Sequence, residues 1–147
     1  MATVKELYKK TKRINLIKLV VQVLDLPEVQ DFIADKNKDQ LNSGLTIEGE
    51  KITPDYVSDD YAKAKQDMNS KPGLFTPDLF LSGDFYEGLT ADLAGQNIEI
   101  FSTDWKSDDL EKKYGDIFGL TKSNMEQLKR EFILPELLNL IHNELQL

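Results

Sequence analysis

The chain has no cysteine among its 147 residues, and it has no long run of apolar residues. The absence of cysteine excludes a disulfide framework, a thiolate zinc site and a cysteine nucleophile. No apolar stretch approaches the roughly 20 residues that a membrane-spanning helix needs. The basic N-terminus also lacks the continuous apolar segment and the small-residue cleavage site of a signal peptide. These absences predict a protein that is made and kept in the cytosol, with no membrane contact.

Residues that carry chemistry are also scarce. His142 is the only histidine, and no serine or cysteine nucleophile pattern lies near it. Residues 35–39 have the oxygen spacing of a calcium loop, but Gln40 replaces the glycine that such a loop requires. Aspartates that could hold magnesium or act as acid and base lie in loops and at helix starts, where negative charge is favoured anyway. These aspartates are Asp59, Asp60, Asp104, Asp108 and Asp109. The sequence therefore predicts no enzyme, no metal site and no cofactor.

Charge is distributed unevenly along the chain. The first 20 residues contain six lysines and arginines against Glu6 alone, a net charge of +5. Since the whole chain carries −8, the remaining 127 residues carry −13. An acidic body repels nucleic acid, because proteins bind DNA by displacing its counterions with their own cations. The charges argue against sequence-specific DNA binding. They allow head-to-tail contacts that build rings, but the charge alone favours a solvated helix on a monomer.

Apolar residues at three- and four-residue spacing predict one long helix over about residues 3–24. The long basic side chains occupy its other faces. Five residues of the apolar stripe form a candidate subunit interface: Leu7, Ile14, Ile17, Val21 and Leu24. Pro27 then starts a second predicted helix, which ends near Gly44.

The middle of the chain is irregular. Glycines and prolines punctuate residues 45–77 and predict an extended loop region with a short helix at 61–68. A loop of that length is unusual in a compact domain. It is therefore expected to be functional or to be ordered by a neighbouring molecule.

The C-terminal part has a clearer pattern. Alternating apolar residues on either side of residues 94–97 predict a β-hairpin. Ser107 is expected to cap a short helix, and Thr121 or Ser123 a long C-terminal helix. Pro135 lies inside that last helix and should bend it, so that its second half packs on the hairpin.

Two apolar, glycine-containing blocks predict architecture rather than chemistry. Residues 78–89 predict a strand, a tight turn at Ser82-Gly83-Asp84 and a second strand from Phe85. Residues 113–120 predict a helix end, a buried apolar anchor and the start of the final helix. The residues that carry this predicted structural motif are Leu81, Gly83, Asp84, Phe85, Tyr86, Tyr114, Gly115, Ile117, Gly119 and Leu120.

The order of these elements resembles a family of small proteins of tailed bacteriophages, the virion morphogenesis or tail completion proteins. The family shows a glycine-bearing segment, a tyrosine stretch with lysines, an apolar turn, a hairpin and a Tyr/Phe-Gly block before a terminal helix. Here these elements are Gly44 with Gly49, then residues 56–65, 79–89, 85–103 and 114–120. The resemblance covers roughly the last two thirds of the chain.

The resemblance implies a non-enzymatic component of the phage neck or tail end, which is oligomeric in the virion and joins or seals the head–tail junction. Its implied partners are other copies of itself and the neighbouring neck, portal or tail proteins. DNA would pass through the lumen of its ring.

We therefore expect one α+β domain over residues 1–147. N-terminal helices (1–44) and the loop region (45–77) precede a hairpin and C-terminal helices (78–147). The sheet is expected to be small and antiparallel, with the long C-terminal helix packed on it.

Two other classes of protein fit the same sequence. One is an acidic adaptor or inhibitor that binds a basic protein by imitating the charge of DNA. The other is a metal-dependent hydrolase that uses aspartates. The mass of the native particle separates the ring from the adaptor, and metal-dependent turnover would identify the hydrolase.

Overall fold

The computed structural model describes residues 3–146, and its fold is mixed α+β and mostly helical. The predicted fold class is confirmed, since helices come first, a small antiparallel sheet follows and a long helical segment comes last. The helices are α1 (Val4–Arg13), α2 (Leu16–Leu24), α3 (Pro27–Asn42), α4 (Asp59–Met68), α5 (Asp84–Glu87), α6 (Ser107–Tyr114), α7 (Lys122–Leu128) and α8 (Leu134–Leu145). The strands are β1 (Leu89–Ala94) and β2 (Asn97–Ser102). Residues 1, 2 and 147 of the predicted domain lie outside the described residues. In the described part of the chain, no helix has the length and apolar character needed to cross a membrane.

The prediction of a single N-terminal helix is wrong, because the helix is interrupted at Ile14 and Asn15. Ile14 has an extended backbone, and the Asn15 side chain accepts a hydrogen bond from the Lys18 amide at 3.2 Å to begin α2. Asparagine favours such caps over helix interiors, because its side chain competes for backbone hydrogen bonds. The break leaves α1 as a separate helix joined to α2 by two residues.

α2 buries a different face from the predicted stripe. Leu19 and Val23 are buried in the core, whereas Ile17 is 61% exposed. Apolar residues stand on almost every side of α2, so the spacing alone could not identify its buried face. Contacts with α3 and α8 decide which face is buried.

α3 is the central helix, and it follows the prediction. Pro27 stands in its first turn, and the helix ends at Asn42, two residues before Gly44. β1, α2 and α7 all pack on it. Its buried residues are Val29, Ile33, Ala34, Asn37, Gln40 and Leu41.

Residues 45–77 are ordered by contacts within the chain. α4 lies where the short helix was predicted, and an isolated antiparallel bridge pairs Leu45 with Lys51. Ile52 and Pro77 are fully buried. The segment therefore contains more structure than the extended loop that its glycines and prolines predict.

The segment before the hairpin differs from the prediction. Instead of two strands around a turn, it forms an irregular stretch and one helical turn, α5, so the first strand begins at Leu89 rather than Phe85. The four-residue spacing of Phe85 and Leu89 fits a helical turn as well as a strand. The predicted positive φ at Gly83 is confirmed, at 93°. Gly83 directly precedes α5, so this left-handed conformation turns the chain into the helix.

β1 and β2 form the predicted hairpin. They are antiparallel, with Leu89 opposite Ser102 at one end and Ala94 opposite Asn97 beside a two-residue turn. Leu89 is buried, and β1 packs on α3. Within residues 3–146 these two strands pair only with each other, so β2 has an edge without a strand partner.

The caps of the C-terminal helices are partly as predicted. Thr121, one of the two candidates, accepts a hydrogen bond from the Asn124 amide at 3.3 Å and begins α7. Ser107 was expected to cap α6, but it is the first helical residue, and Lys106 precedes the helix without a side-chain cap. Gly115 ends α6 as expected.

The long C-terminal helical segment is interrupted just before Pro135. Lys129–Ile133 form a π-helical segment between α7 and α8, close to where the missing amide of proline was expected to cause a bend. Met125 and Leu128 of α7 share a cleft with Ile100 of the hairpin. α8 was expected on the hairpin as well, but it lies mainly along α2 and α1.

Two buried side chains of α3 hold the connecting segment 115–121, which lies between α6 and α7. Asn37 donates from Nδ2 to the Ile117 carbonyl at 2.8 Å and accepts the Gly119 amide at 3.1 Å. Gln40 donates from Nε2 to the Gly119 carbonyl at 2.9 Å and accepts the Thr121 amide at 2.8 Å. Asn37 is 0% exposed, so these bonds satisfy polar groups that are shielded from water. We call these four bonds the amide clamp.

Asn37→Ala should lower the free energy of unfolding by about 2–4 kcal/mol, because it leaves the Ile117 carbonyl and the Gly119 amide buried without partners. Urea denaturation followed by circular dichroism measures this loss. The matched control is Asn139→Ala at an exposed position of α8, which should change stability by less than about 0.5 kcal/mol. Equal losses in the two variants would contradict the role of the clamp.

Candidate functional site

The structure brings the two predicted motif blocks together in the core. Phe85 of the first block and Ile117 of the second are buried in one apolar cluster. The ring centroids of Phe85 and Phe118 are 5.8 Å apart. Tyr114 and Leu120 are half-buried and pack against the same cluster. These contacts join the two blocks in one core.

Gly119 in the second block allows a close approach between two segments. Gly119 has a φ of 153°, and a Cβ atom there would lie 2.8 Å from Cγ2 of Ile47. The backbone of segment 115–121 can therefore pass residue 47 only because position 119 lacks a side chain. Of the remaining motif residues, Leu81 and Asp84 are exposed, and Asp84 accepts a hydrogen bond from the Ser82 hydroxyl at 3.0 Å.

A buried ion pair ties α4 to the segment before α5, and the sequence analysis missed it. Lys65 Nζ lies 2.7 Å from Asp78 Oδ1, and the two side chains are 9% and 4% exposed. Lys65 also donates to the Phe80 carbonyl, and Asn69 donates to Asp78 Oδ2 at 3.1 Å. The Tyr86 hydroxyl donates to the Asp78 carbonyl. Both charged groups thus have several partners inside the protein, which makes this cluster a structural clasp.

Two tyrosines complete the surroundings of Asp78. The Tyr56 hydroxyl accepts the Asp78 amide at 3.4 Å, and its ring meets the Tyr61 ring edge-on at 4.9 Å. Burial raises the pKa of both Tyr56 and Tyr86, and the negative charge of Asp78 adds to the rise, while the hydrogen bond from the Asp78 amide partly offsets it at Tyr56. Both hydroxyls therefore stay protonated in the folded protein to a higher pH than usual.

The carboxylates considered for metal binding or acid–base chemistry do not come together. Asp59 and Asp60 stand in the first turn of α4, and Asp108 and Asp109 stand in the first turn of α6. Asp104 pairs with the lysine two residues further on, its Oδ2 atom 2.9 Å from Nζ. Within residues 3–146, no three histidine, cysteine, aspartate or glutamate side chains are grouped to hold a metal ion. The positive ends of the helix dipoles instead stabilise the negative charges of the aspartates at the helix starts.

The calcium-like pattern and the histidine occupy other surroundings. Asn37, in the middle of the pattern, points into the core as part of the amide clamp. Asp35 forms a 3.9 Å ion pair with Lys38. His142 is exposed on α8. Because Asn37 is turned inward, the oxygens of this pattern do not surround a common point as calcium ligands do.

None of the residues of α1, Val4–Arg13, is buried, a property that this helix shares with α8. It is nevertheless strongly amphipathic, and Val4 and Tyr8 are 84% and 58% exposed. It meets the rest of the chain mainly at α8, where Lys10 Nζ donates to Gln146 Oε1 at 3.1 Å. We call α1 the N-terminal arm.

The five residues of the predicted subunit interface divide between the surface and the edge of the core. Ile17 is exposed, and Leu16 beside it is exposed as well, so α2 also presents apolar side chains at the surface. The other four are half-buried: Leu7, Ile14, Val21 and Leu24.

An apolar cavity of about 410 Å³ lies between the hairpin, α3 and the segment that leads into α7. Its walls include Ile98 of β2, Leu120 and Met125. Leu24, at the end of α2, lines it as well. No local sequence pattern predicts this cavity, because its walls come from four distant parts of the chain.

An acidic cavity of about 460 Å³ adjoins the apolar one. Its walls include three exposed carboxylates, Glu99, Glu111 and Asp116. Ile100 and Phe118 line both cavities, so the two lie next to each other alongside β2. We call the two cavities together the β2 groove.

Comparison with known proteins adds no assignment, because no family model, curated protein sequence or solved structure matches the chain. The resemblance to tailed-phage proteins stays a prediction from the motifs. The arm and the groove are therefore the features from which a function can be argued.

Stability should fall as the pH rises above about 10. In that range the unfolded chain loses its tyrosine protons, whereas folded Tyr56 and Tyr86 keep theirs. The folded state then holds more protons than the unfolded state, so the free energy of unfolding decreases with pH. Tyr86 should contribute up to about 1.4 kcal/mol per pH unit in that window. Urea denaturation between about pH 9 and pH 11.5 measures this slope.

The variant Tyr86→Phe should flatten the slope, because it removes the titrating hydroxyl. The control is Tyr8→Phe on the exposed arm, which should leave the slope unchanged. If a variant with both Tyr56→Phe and Tyr86→Phe kept the slope of the original protein, the assignment would be wrong.

Proposed function

We propose that the protein is a non-enzymatic structural protein of a tailed-phage virion that forms a homo-oligomeric ring at the head–tail junction. The observation that carries the proposal is the N-terminal arm. A strongly amphipathic helix with no buried residue exposes apolar side chains to water, at a cost in free energy that a contacting molecule removes. Such a helix is suited to contact between subunits.

The distribution of charge supports a ring that surrounds DNA without holding it. The first 20 positions hold six of the 18 lysines and arginines and one acidic residue, and the remaining 127 residues carry a net charge of −13. Cations in the wall of a channel would bind the phosphates of DNA and release counterions. An acidic wall avoids this affinity, so the duplex can slide through.

The location at the head–tail junction rests on the motif resemblance. It places the protein among neck, portal or tail proteins in the virion, and in the host cytoplasm during assembly. The proposal includes no cofactor and no catalytic residue, since the candidate aspartates are dispersed over separate helices and loops.

An acidic adaptor or inhibitor of a basic protein is the second candidate. One observation favours it: Glu99, Glu111 and Asp116 are exposed along the β2 groove, where they could contact a basic partner. An adaptor would remain a monomer or dimer in isolation. The mass of the isolated particle therefore separates the two candidates.

The purified chain should form a closed oligomer in native mass spectrometry and in negative-stain images. Deletion of residues 1–14 should give a folded monomer, because the arm contributes no buried residue to the core. The control is Val57→Ser, which removes a 98% exposed apolar side chain elsewhere and should leave the oligomer intact. In a phage that carries the gene, loss of the protein should leave filled or leaking heads without functional tails.

Three results would contradict the proposal: a monomeric parent chain, a truncated chain that folds and keeps its oligomeric mass, or normal tailed virions without the protein.

A further inference from the structure

We infer that the β2 groove receives the N-terminal arm of a second copy of this chain. The inference rests on the homo-oligomer proposed above, and it names the two surfaces that meet in it. The arm is the donor of the contact, and the groove is the acceptor.

The arm presents apolar and basic groups on one face. Successive residues of a helix are turned by about 100°, so Val4 and Tyr8 lie next to Lys5 and Lys12 around the helix. The contact of Lys12 with Tyr8 confirms this, because Nζ lies over the ring, 4.7 Å from its centroid. The opposite flank of the arm is the one bound to α8, through Lys10. The exposed face therefore has an apolar centre with lysines along one side.

The β2 groove offers the complementary chemistry. Its apolar part has walls of aliphatic side chains such as Ile98 and Leu120. Its acidic part exposes Glu99, Glu111 and Asp116. Amphipathic helices bind in apolar grooves through side chains three and four residues apart, and opposite charges at the rim fix their orientation. An apolar seat with carboxylates at one end matches the exposed face of the arm in both respects.

The edge of β2 supplies further partners for lysines. Glu99 and Ile100 point to opposite faces of the strand, yet both line the acidic part, so the groove follows the strand edge. No strand within the described residues pairs with this edge. Its free carbonyl groups can accept hydrogen bonds from lysine ammonium groups.

The arm does not occupy the groove of its own chain. The two features lie at opposite ends of α2, since the arm joins its start and Leu24 at its end lines the groove. The helix between them is about 12 Å long. A contact between two different surfaces is heterologous, and repeated heterologous contacts close into a ring when the rotation between subunits allows it. This geometry agrees with the proposed oligomer.

Charge reversal on the full chain tests the inference. The arm variant carries Lys5→Glu, Lys9→Glu and Lys12→Glu, and the groove variant carries Glu99→Lys, Glu111→Lys and Asp116→Lys. Each variant alone should self-associate more weakly by about tenfold or more, because like charges then face each other. An equimolar mixture should recover the oligomer, since the acidic arm fits the basic groove and the original arm fits the original groove. Sedimentation velocity measures the association, and circular dichroism confirms that each variant is folded.

The control reverses three exposed carboxylates outside the groove, with Asp55→Lys, Asp60→Lys and Asp67→Lys, and it should associate like the parent chain. If the control dissociates, or if the groove variant associates like the parent, the acceptor surface lies elsewhere and the inference is wrong, while the proposed homo-oligomer stands. If the parent chain is monomeric, the proposed function fails as well. Should a variant not fold, the parent alone decides: association that does not weaken between about 0.05 M and 0.5 M salt would overturn the inference.

Discussion

The amide clamp is the interaction on which the rest of the structure depends. Segment 115–121 has no regular secondary structure, and four of its backbone groups, which belong to Ile117, Gly119 and Thr121, find their hydrogen-bond partners on side chains of α3. Asn37 and Gln40 satisfy these groups from inside the central helix, and Asn124 of α7 adds a 2.7 Å hydrogen bond to Gln40 Oε1. An irregular segment can therefore cross the core and fix the start of α7 against α3.

The clamped segment also forms one wall of the β2 groove. Ile117 is buried beneath it, while Phe118 and Leu120 line the groove opposite the hairpin. The groove is thus built on a segment that the amide clamp holds in place, whereas the arm buries no residue and meets the rest of the chain mainly at α8. A preformed acceptor lowers the ordering cost of association. In the proposed oligomer, the groove is therefore the preformed surface and the arm is the helix that docks on it.

Local signals decided which parts of this structure could be predicted from sequence. The start of α3 at Pro27 and the hairpin turn at residues 94–97 depend on backbone chemistry that a short window contains. The buried face of α2 could not be predicted, because tertiary contacts select among several apolar sides. The clamp could not be predicted for a different reason. Asn37 follows the buried Ile33 by four residues, so the helical spacing predicts its position on the inner face of α3. Its hydrogen-bond partners, however, lie 80 and 82 residues further along the chain. The groove depends on the same long-range contacts.

Amide hydrogen exchange of Gly119 and Thr121 tests the clamp most directly, because their N–H groups donate to the two side chains of α3. If the clamp holds the core together, both amides should exchange only through global unfolding, with an opening free energy equal to that from denaturation. Exchange of these amides under native conditions at the rate of exposed loop amides would contradict the account.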